Sequence, residues 1–423
     1  MSGGSAVLEK LKSVVAAAVV AFWAASLPAT ATELTVEILG AWRTENWRHI
    51  GDWLDGIKEE YEALHPGVTV NYVASKGLDG LILAAASGTP SPDVAIASVA
   101  WARDAFDAGL LRPLNEYWER SPVGQLGFFP SARIFNQKDG LIYGAPWSME
   151  AYTIVYNVDM FEAAGLDPHP DAIASWEELL VAARRLHRED GPGEVRVAGF
   201  QTGLNFPLFA SWLYANGGQF YNEDFSAVAF NSEQGRETIR FLADLLVNQR
   251  LGGLSGLSNF HGGKVAMLTH QLPAGAMLSE APFRAAQTDM PPGPSGSKRS
   301  TATWSNMFTI PAHAPHPELG WAWIELMLSP GQQDKLTEGF GFPVSPYREA
   351  YDSPVVADAV RRHPYIENTP RILENAGVWP FIGYSEVMRQ GMAAPILNDI
   401  ASGRVDPVTA LDEVARLYNL AMQ

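Results

Sequence analysis

Cysteine is absent from all 423 residues. Its absence excludes disulfides, thiolate zinc sites, a cysteine nucleophile and the lipid-modified cysteine that tethers many exported proteins. Positive charge is scarce: 30 Lys and Arg stand against 47 Asp and Glu, a formal net charge of −17. A surface this acidic repels phosphate backbones and disfavours nucleic acid as a partner. Long apolar runs are missing too, apart from Ser13 to Leu27 near the N-terminus. That run is about 15 residues, short of the roughly 20 that cross a bilayer as a helix. Catalytic signatures are equally lacking, with no HExxH, G-x-S-x-G or Walker pattern. His313 and His316 flank Pro315 in a loop-like context and read as solvated side chains rather than a metal pair.

The apolar run has the layout of an export leader. Lys10 and Lys12 precede it, and Ala29-Thr30-Ala31 supplies a small-x-small cleavage pattern. We expect residues 1–31 to be a signal peptide and, without a lipid-anchored cysteine, the periplasm to retain the mature chain. What remains exceeds a usual single domain, so two lobes are expected.

Leu34, Val36 and Ile38 alternate as in a strand, and Val68, Val70 and Tyr72 repeat the pattern. Between them Trp47, Ile50, Trp53, Ile57, Tyr61 and Leu64 recur at helical spacing and stop at His65-Pro66-Gly67. Asp93 to Ala97, Tyr152 to Tyr156, Val265 to Thr269 and Met307 to Ile310 read as further strands. Ser175-Trp176-Glu177-Glu178 is a capping box that opens a helix. Strands alternating with helices predict an α/β fold with a mostly parallel sheet covered on both faces. Pro291 to Ser300, rich in Pro, Gly and Ser, reads as an exposed loop or a crossing between lobes.

Several stretches, in shared order, resemble the extracellular solute-binding proteins of ABC importers, the family of the maltose-binding protein. They are Gly140-Leu141-Ile142-Tyr143-Gly144-Ala145-Pro146-Trp147, Tyr156-Asn157-Val158-Asp159-Met160-Phe161-Glu162-Ala163-Ala164-Gly165-Leu166 and Gly263-Lys264-Val265-Ala266-Met267. His316-Pro317-Glu318-Leu319-Gly320-Trp321-Ala322-Trp323, then Ser402-Gly403-Arg404-Val405 with Ala410-Leu411, complete the match. The resemblance implies a periplasmic-binding-protein type II fold, two α/β lobes joined by about three hinge crossings. Residues 32–147 plus about 304–345 would form the N-terminal lobe, and about 148–303 plus 346–423 the C-terminal lobe. The crossings would lie near Pro146 to Ala151, Pro291 to Thr303 and Phe342 to Tyr347. It further implies a monomer that needs no cofactor, closes on a ligand and is read by ABC permease transmembrane subunits.

Sugars present hydroxyls around an apolar ring face, so their sites combine aromatic planes with carboxylates, amides and cationic forks. All but Trp23 of the 13 tryptophans lie beyond the leader, several in loop-like contexts. Trp42 and Arg43 follow the first strand, and Ser98 and Trp101 the third, where open α/β sheets bind ligands; loop packing and a helix interior are the competing readings for the two tryptophans. Trp147 and Glu150 stand just after the first crossing. Counted from Pro146 to Tyr156-Asn157, Glu150 falls on a sugar-binding glutamate of the family. By the same resemblance Phe206 or Trp212, ahead of Asn216-Gly217-Gly218, supplies a cleft aromatic, against a helix-interior role. Trp304 and Asn306 follow the Pro/Gly-rich loop, and Trp379 resembles a late cleft aromatic. Many relatives carry a stacking tryptophan where this chain has Pro273, which leaves His270 or Gln271 for polar groups and favours a small ligand. Arg43, Lys76, Lys298 and Arg299 keep open an anionic sugar derivative, a phosphate or sulfonate. A glycoside hydrolase is a remote alternative, since no carboxylate pair stands out.

Overall fold

The structure is a computed structural model that describes residues 32–249, 251, 256–272, 278, 281–382 and 393–422. The leader segment 1–31 and Pro273 lie outside the described residues. Strand β1 (Thr32–Ile38) runs parallel to β2 (Val68–Ala74), with Leu34 opposite Val70 and Val36 opposite Tyr72. Helix α1 (Arg48–Leu64) connects them and buries Ile50, Trp53, Leu54, Ile57 and Tyr61. Trp47, just before the helix, and Leu64, its last residue, stay exposed at the ends of the expected stripe. Strand β3 (Ala95–Ser98) leads directly into α2 (Val99–Asp107), whose N-terminus Ser98 caps by accepting from the Ala100 amide at 3.3 Å.

The chain then changes sheets. Strand β4 (Ala145–Pro146) belongs with β3, and β5 (Glu150–Asn157) founds a second sheet, with Trp147 to Met149 in between. Helix α3 (Trp176–Leu186) begins at the predicted capping box: Ser175 Oγ accepts from the Glu178 amide at 3.2 Å, and Glu178 reaches back to the Ala174 amide at 2.6 Å. Helix α4 (Phe206–Ala215) is buried on every side. Strands β6 (Met267–Gln271) and β7 (Ala285–Thr288) run antiparallel to β5, and so does β8 (Ala302–Trp304). One residue later the chain returns, as β9 (Asn306–Thr309) pairs antiparallel with β3 and β4. The Phe342–Tyr347 region lies against the outgoing segment, where the Met149 amide donates to the Val344 carbonyl at 2.7 Å. Helix α5 (Pro317–Met327) and the short strand β10 (Gly377–Val378), parallel to β8, follow.

Two α/β lobes result. The expected parallel pairing holds for β1 with β2 and for β8 with β10, whereas the other pairings of the central strands are antiparallel. Segments that leave one sheet and come straight back must run antiparallel to each other, and this gives β4, β5, β8 and β9 their direction. Pro291 to Ser300 is no crossing. It is pinned against α4, with the Ser295 amide donating to Asn216 Oδ1 at 3.0 Å and Ser295 Oγ donating to Glu237 at 2.7 Å.

Aromatic side chains fill the core of the first lobe up to the sheet change. Trp147 stacks on Trp53 at 5.6 Å, meets Trp42 edge-on at 5.1 Å and touches Phe308, which packs on Trp323. Each such ring removes about 150–250 Å² from water, so the cluster anchors the strand ends from which β5 departs.

Candidate functional site

Where the two sheets meet, β5 carries Glu150, Ala151, Tyr152 and Thr153 in strict alternation: Glu150 and Tyr152 half-buried, Ala151 and Thr153 fully buried. Strand register decides what shares their face. Trp304 lies opposite Glu150, and Gln271 opposite Tyr152. The Trp304 and Tyr152 rings sit 5.1 Å apart, tilted by 48°. Trp379 continues the β10 register beside Trp304, its amide donating to the Thr303 carbonyl at 2.8 Å. One face therefore gathers two tryptophans, a tyrosine, a carboxylate and an amide.

The Glu150 carboxylate has no hydrogen-bond or ionic partner among the described residues. Burial without a compensating charge pushes its pKa up to about 7. Such a group is poised to take hydrogen bonds from hydroxyls that arrive with a ligand. Across the sheet change, Asn306 and Ser98 form one antiparallel pair and are both half-buried, with half-buried Trp101 following on α2.

Other predicted residues are placed elsewhere. Arg43 lies on the outer surface, paired with Asp55 at 2.8 Å and packed over Tyr72. Trp42 and Trp147 belong to the aromatic core of the first lobe, 4% and 3% exposed. Phe206 packs among Phe220, Phe230 and Tyr418, and Trp212 among Trp176, Phe200 and Phe241, so both are core residues of the second lobe. Asn216 is fully buried: its Nδ2 donates to the Gln234 carbonyl and to Glu237, while its Oδ1 holds the Ser295 amide. Gly217 adopts φ +76°, and a Cβ at Gly218 would meet Leu213 at 2.3 Å. These three residues shape a turn. His270 pairs with Thr153 on the opposite face from Glu150, and burial lowers its pKa.

The sequence reading leaves out Tyr152. Its signal is present, because a strand residue two positions from a ligand-facing one shares its face. Asn205 caps α4, its Oδ1 accepting from the Leu208 amide at 2.9 Å.

A binding protein of Brucella abortus strain 2308 is 23% identical over 392 residues, covering 86% of this chain and 88% of its own. An arabinooligosaccharide-binding protein of Halalkalibacterium halodurans is 26% identical over 295 residues, with 66% of this chain and 63% of its own covered. Among solved structures, the cyclic α-maltosyl-1,6-maltose binding protein of Arthrobacter globiformis superposes with a TM-score of 0.76 at 22% identity, over 92% of this chain and 99% of its own. The family profile of bacterial extracellular solute-binding proteins matches residues 47–334. The chain belongs to the bacterial extracellular solute-binding proteins.

Proposed function

We propose that this protein is the substrate-binding component of an ABC importer and captures a neutral carbohydrate between its lobes. One observation carries the reading: a carboxylate, Glu150, without a partner among the described residues, on a half-buried face with Trp304, Tyr152 and Trp379 beside it. Aromatic planes cover the apolar face of a sugar, and the carboxylate accepts from two of its hydroxyls. The lobes are 32–147 plus about 304–345 and about 148–303 plus 346–423. They are hinged where the chain changes sheets, at Trp147 to Met149, at Ser305 and near Phe342 to Tyr347. The leader sends a monomer to the periplasm, where closure around the ligand is the state that the permease reads.

Two rival readings lose support on specific grounds. An anionic ligand needs a free cation at the site, and two of the four cations named for it are engaged elsewhere: Arg43 is bound to Asp55, and Arg299 is buried between Asp289 and Asp171. A glycosidase needs a second carboxylate across the bond from the first. The positions paired with the Glu150 face of β5 are Trp304, Gln271, Thr269, Thr288, Met267 and Ala286, and none is a carboxylate.

A thermal-shift screen of neutral sugars, polyols and their phosphorylated or sulfonated forms tests the proposal. A ligand at 100 times its Kd adds about 2.7 kcal/mol of stability. Stabilisation by a neutral sugar, lost in Glu150→Gln, is the expected result. Stabilisation by charged compounds alone would overturn the neutral-carbohydrate reading.

A further inference from the structure

Beside Glu150 on the same strand, Tyr152 Oη accepts a hydrogen bond from Gln271 Nε2, at the end of β6, at 3.1 Å. That amide donor occupies an acceptor site of the phenolic oxygen, and the phenol's own O–H finds no acceptor among the described residues. Gln271 is exposed, and water would satisfy its amide if it turned outward. Instead it fixes the ring of a half-buried tyrosine that also packs on Trp304.

We infer that Tyr152 is a specificity-determining residue, a hydrogen-bond donor that demands an acceptor oxygen on the bound sugar, and that Gln271 is its positioning residue. The inference rests on the carbohydrate reading of the Glu150 face and deepens it. Glu150 and Tyr152 are two residues apart on one strand, about 6.5–7 Å, roughly the width of one pyranose ring with its hydroxyls. A ligand lying on Trp304 then meets an acceptor at one edge and a donor at the other. The favoured class is a neutral sugar unit with a free hydroxyl toward Glu150 and a ring or hydroxyl oxygen toward Tyr152. An analogue without that oxygen leaves the Tyr152 O–H unpaired once water is excluded, and such mismatches are penalised heavily.

The test uses the mature protein and calorimetric titration with D-glucose, D-galactose, D-mannose, L-arabinose, D-xylose, maltose, cellobiose and trehalose. The tightest binder is then measured against Tyr152→Phe, Gln271→Ala and the double variant. Tyr152→Phe should weaken binding tenfold or more and Gln271→Ala about threefold. The double variant should bind no more weakly than Tyr152→Phe alone, because Gln271 acts through the hydroxyl that is already gone. Melting temperatures of the free variants should match the parent. Retained affinity in Tyr152→Phe, or losses that multiply in the double variant, would overturn the assignment of Tyr152 while leaving the carbohydrate reading intact if Glu150→Gln still abolishes binding. Silence of the whole panel would overturn both.

Discussion

Glu150 sets a conflict between stability and binding at the scale of a single side chain. Its folded pKa, pushed to about 7, lies above the ordinary value of 4.5. Between those limits the folded chain keeps a proton that the unfolded chain has released, so stability falls as pH rises through the window. Above pH 7 the ionised, desolvated carboxylate costs the ligand-free protein about 1–3 kcal/mol. Glu150→Gln should therefore raise the melting temperature of the free protein at pH 8, leave it nearly unchanged at pH 4, and abolish sugar binding at both. Ligand hydroxyls favour the ionised form, so parental affinity should climb up to tenfold per unit as pH rises toward 7 and level off above it. A pH-independent affinity in calorimetric titrations would remove Glu150 from the contact. The sequence singles out Glu150 through the family resemblance, counted from Pro146 to Tyr156-Asn157, and the structure adds that it shares a half-buried face with Trp304. Tyr152 was overlooked because a tyrosine inside a strand looks like core until its facing partners, Gln271 and Trp304, are known.

Elements explain which aromatics the sequence misplaced. In α4 all ten residues from Phe206 to Ala215 are buried. A helix without a polar face gives no hint of which side meets a cleft, so the family resemblance alone pointed to Phe206 and Trp212, and the competing helix-interior reading holds for both. The strands and helices themselves were legible from alternation and caps; the antiparallel direction of the central strands was not, because it follows from where the chain changes sheets. The turn that ends α4 yields a prediction. Asn216 makes three hydrogen bonds, one to Ser295 in the Pro/Gly-rich loop and two to Gln234 and Glu237 on the helix Glu233–Val247. Asn216→Ala would leave buried polar partners unmade and should cost about 1–3 kcal/mol in urea unfolding, and Trp212→Phe should lower stability through the space it opens in the core. Neither should change ligand affinity by more than about twofold, since both act within one lobe. A tenfold loss of affinity in Trp212→Phe would return that residue to the cleft.

At the scale of the molecule, the proposed lobes are linked by few backbone segments, and the segments lie side by side. Trp147 to Met149 leads out, Ser305 leads back, and Val344 is bonded to Met149. Small backbone rotations at these points can swing whole lobes, while the Trp42–Trp53–Trp147 cluster keeps one end of the junction rigid. The absence of cysteine makes the motion measurable without interference. Leu83, 65% exposed on the helix Gly77–Ser87, and Val181, 51% exposed on α3, lie in opposite proposed lobes and tolerate labels without disturbing either core. A Leu83→Cys/Val181→Cys protein carrying a fluorophore pair should report two distance populations whose balance shifts with ligand, at a midpoint equal to the calorimetric Kd. A ligand moves that balance only by its preference for the closed state. Glu150→Gln should stay in the open population at every sugar concentration. A single distance that sugar does not move, while calorimetry still registers binding, would mean that capture occurs without closure, and the permease would then have to recognise the ligand or a local change rather than the shape of the closed protein.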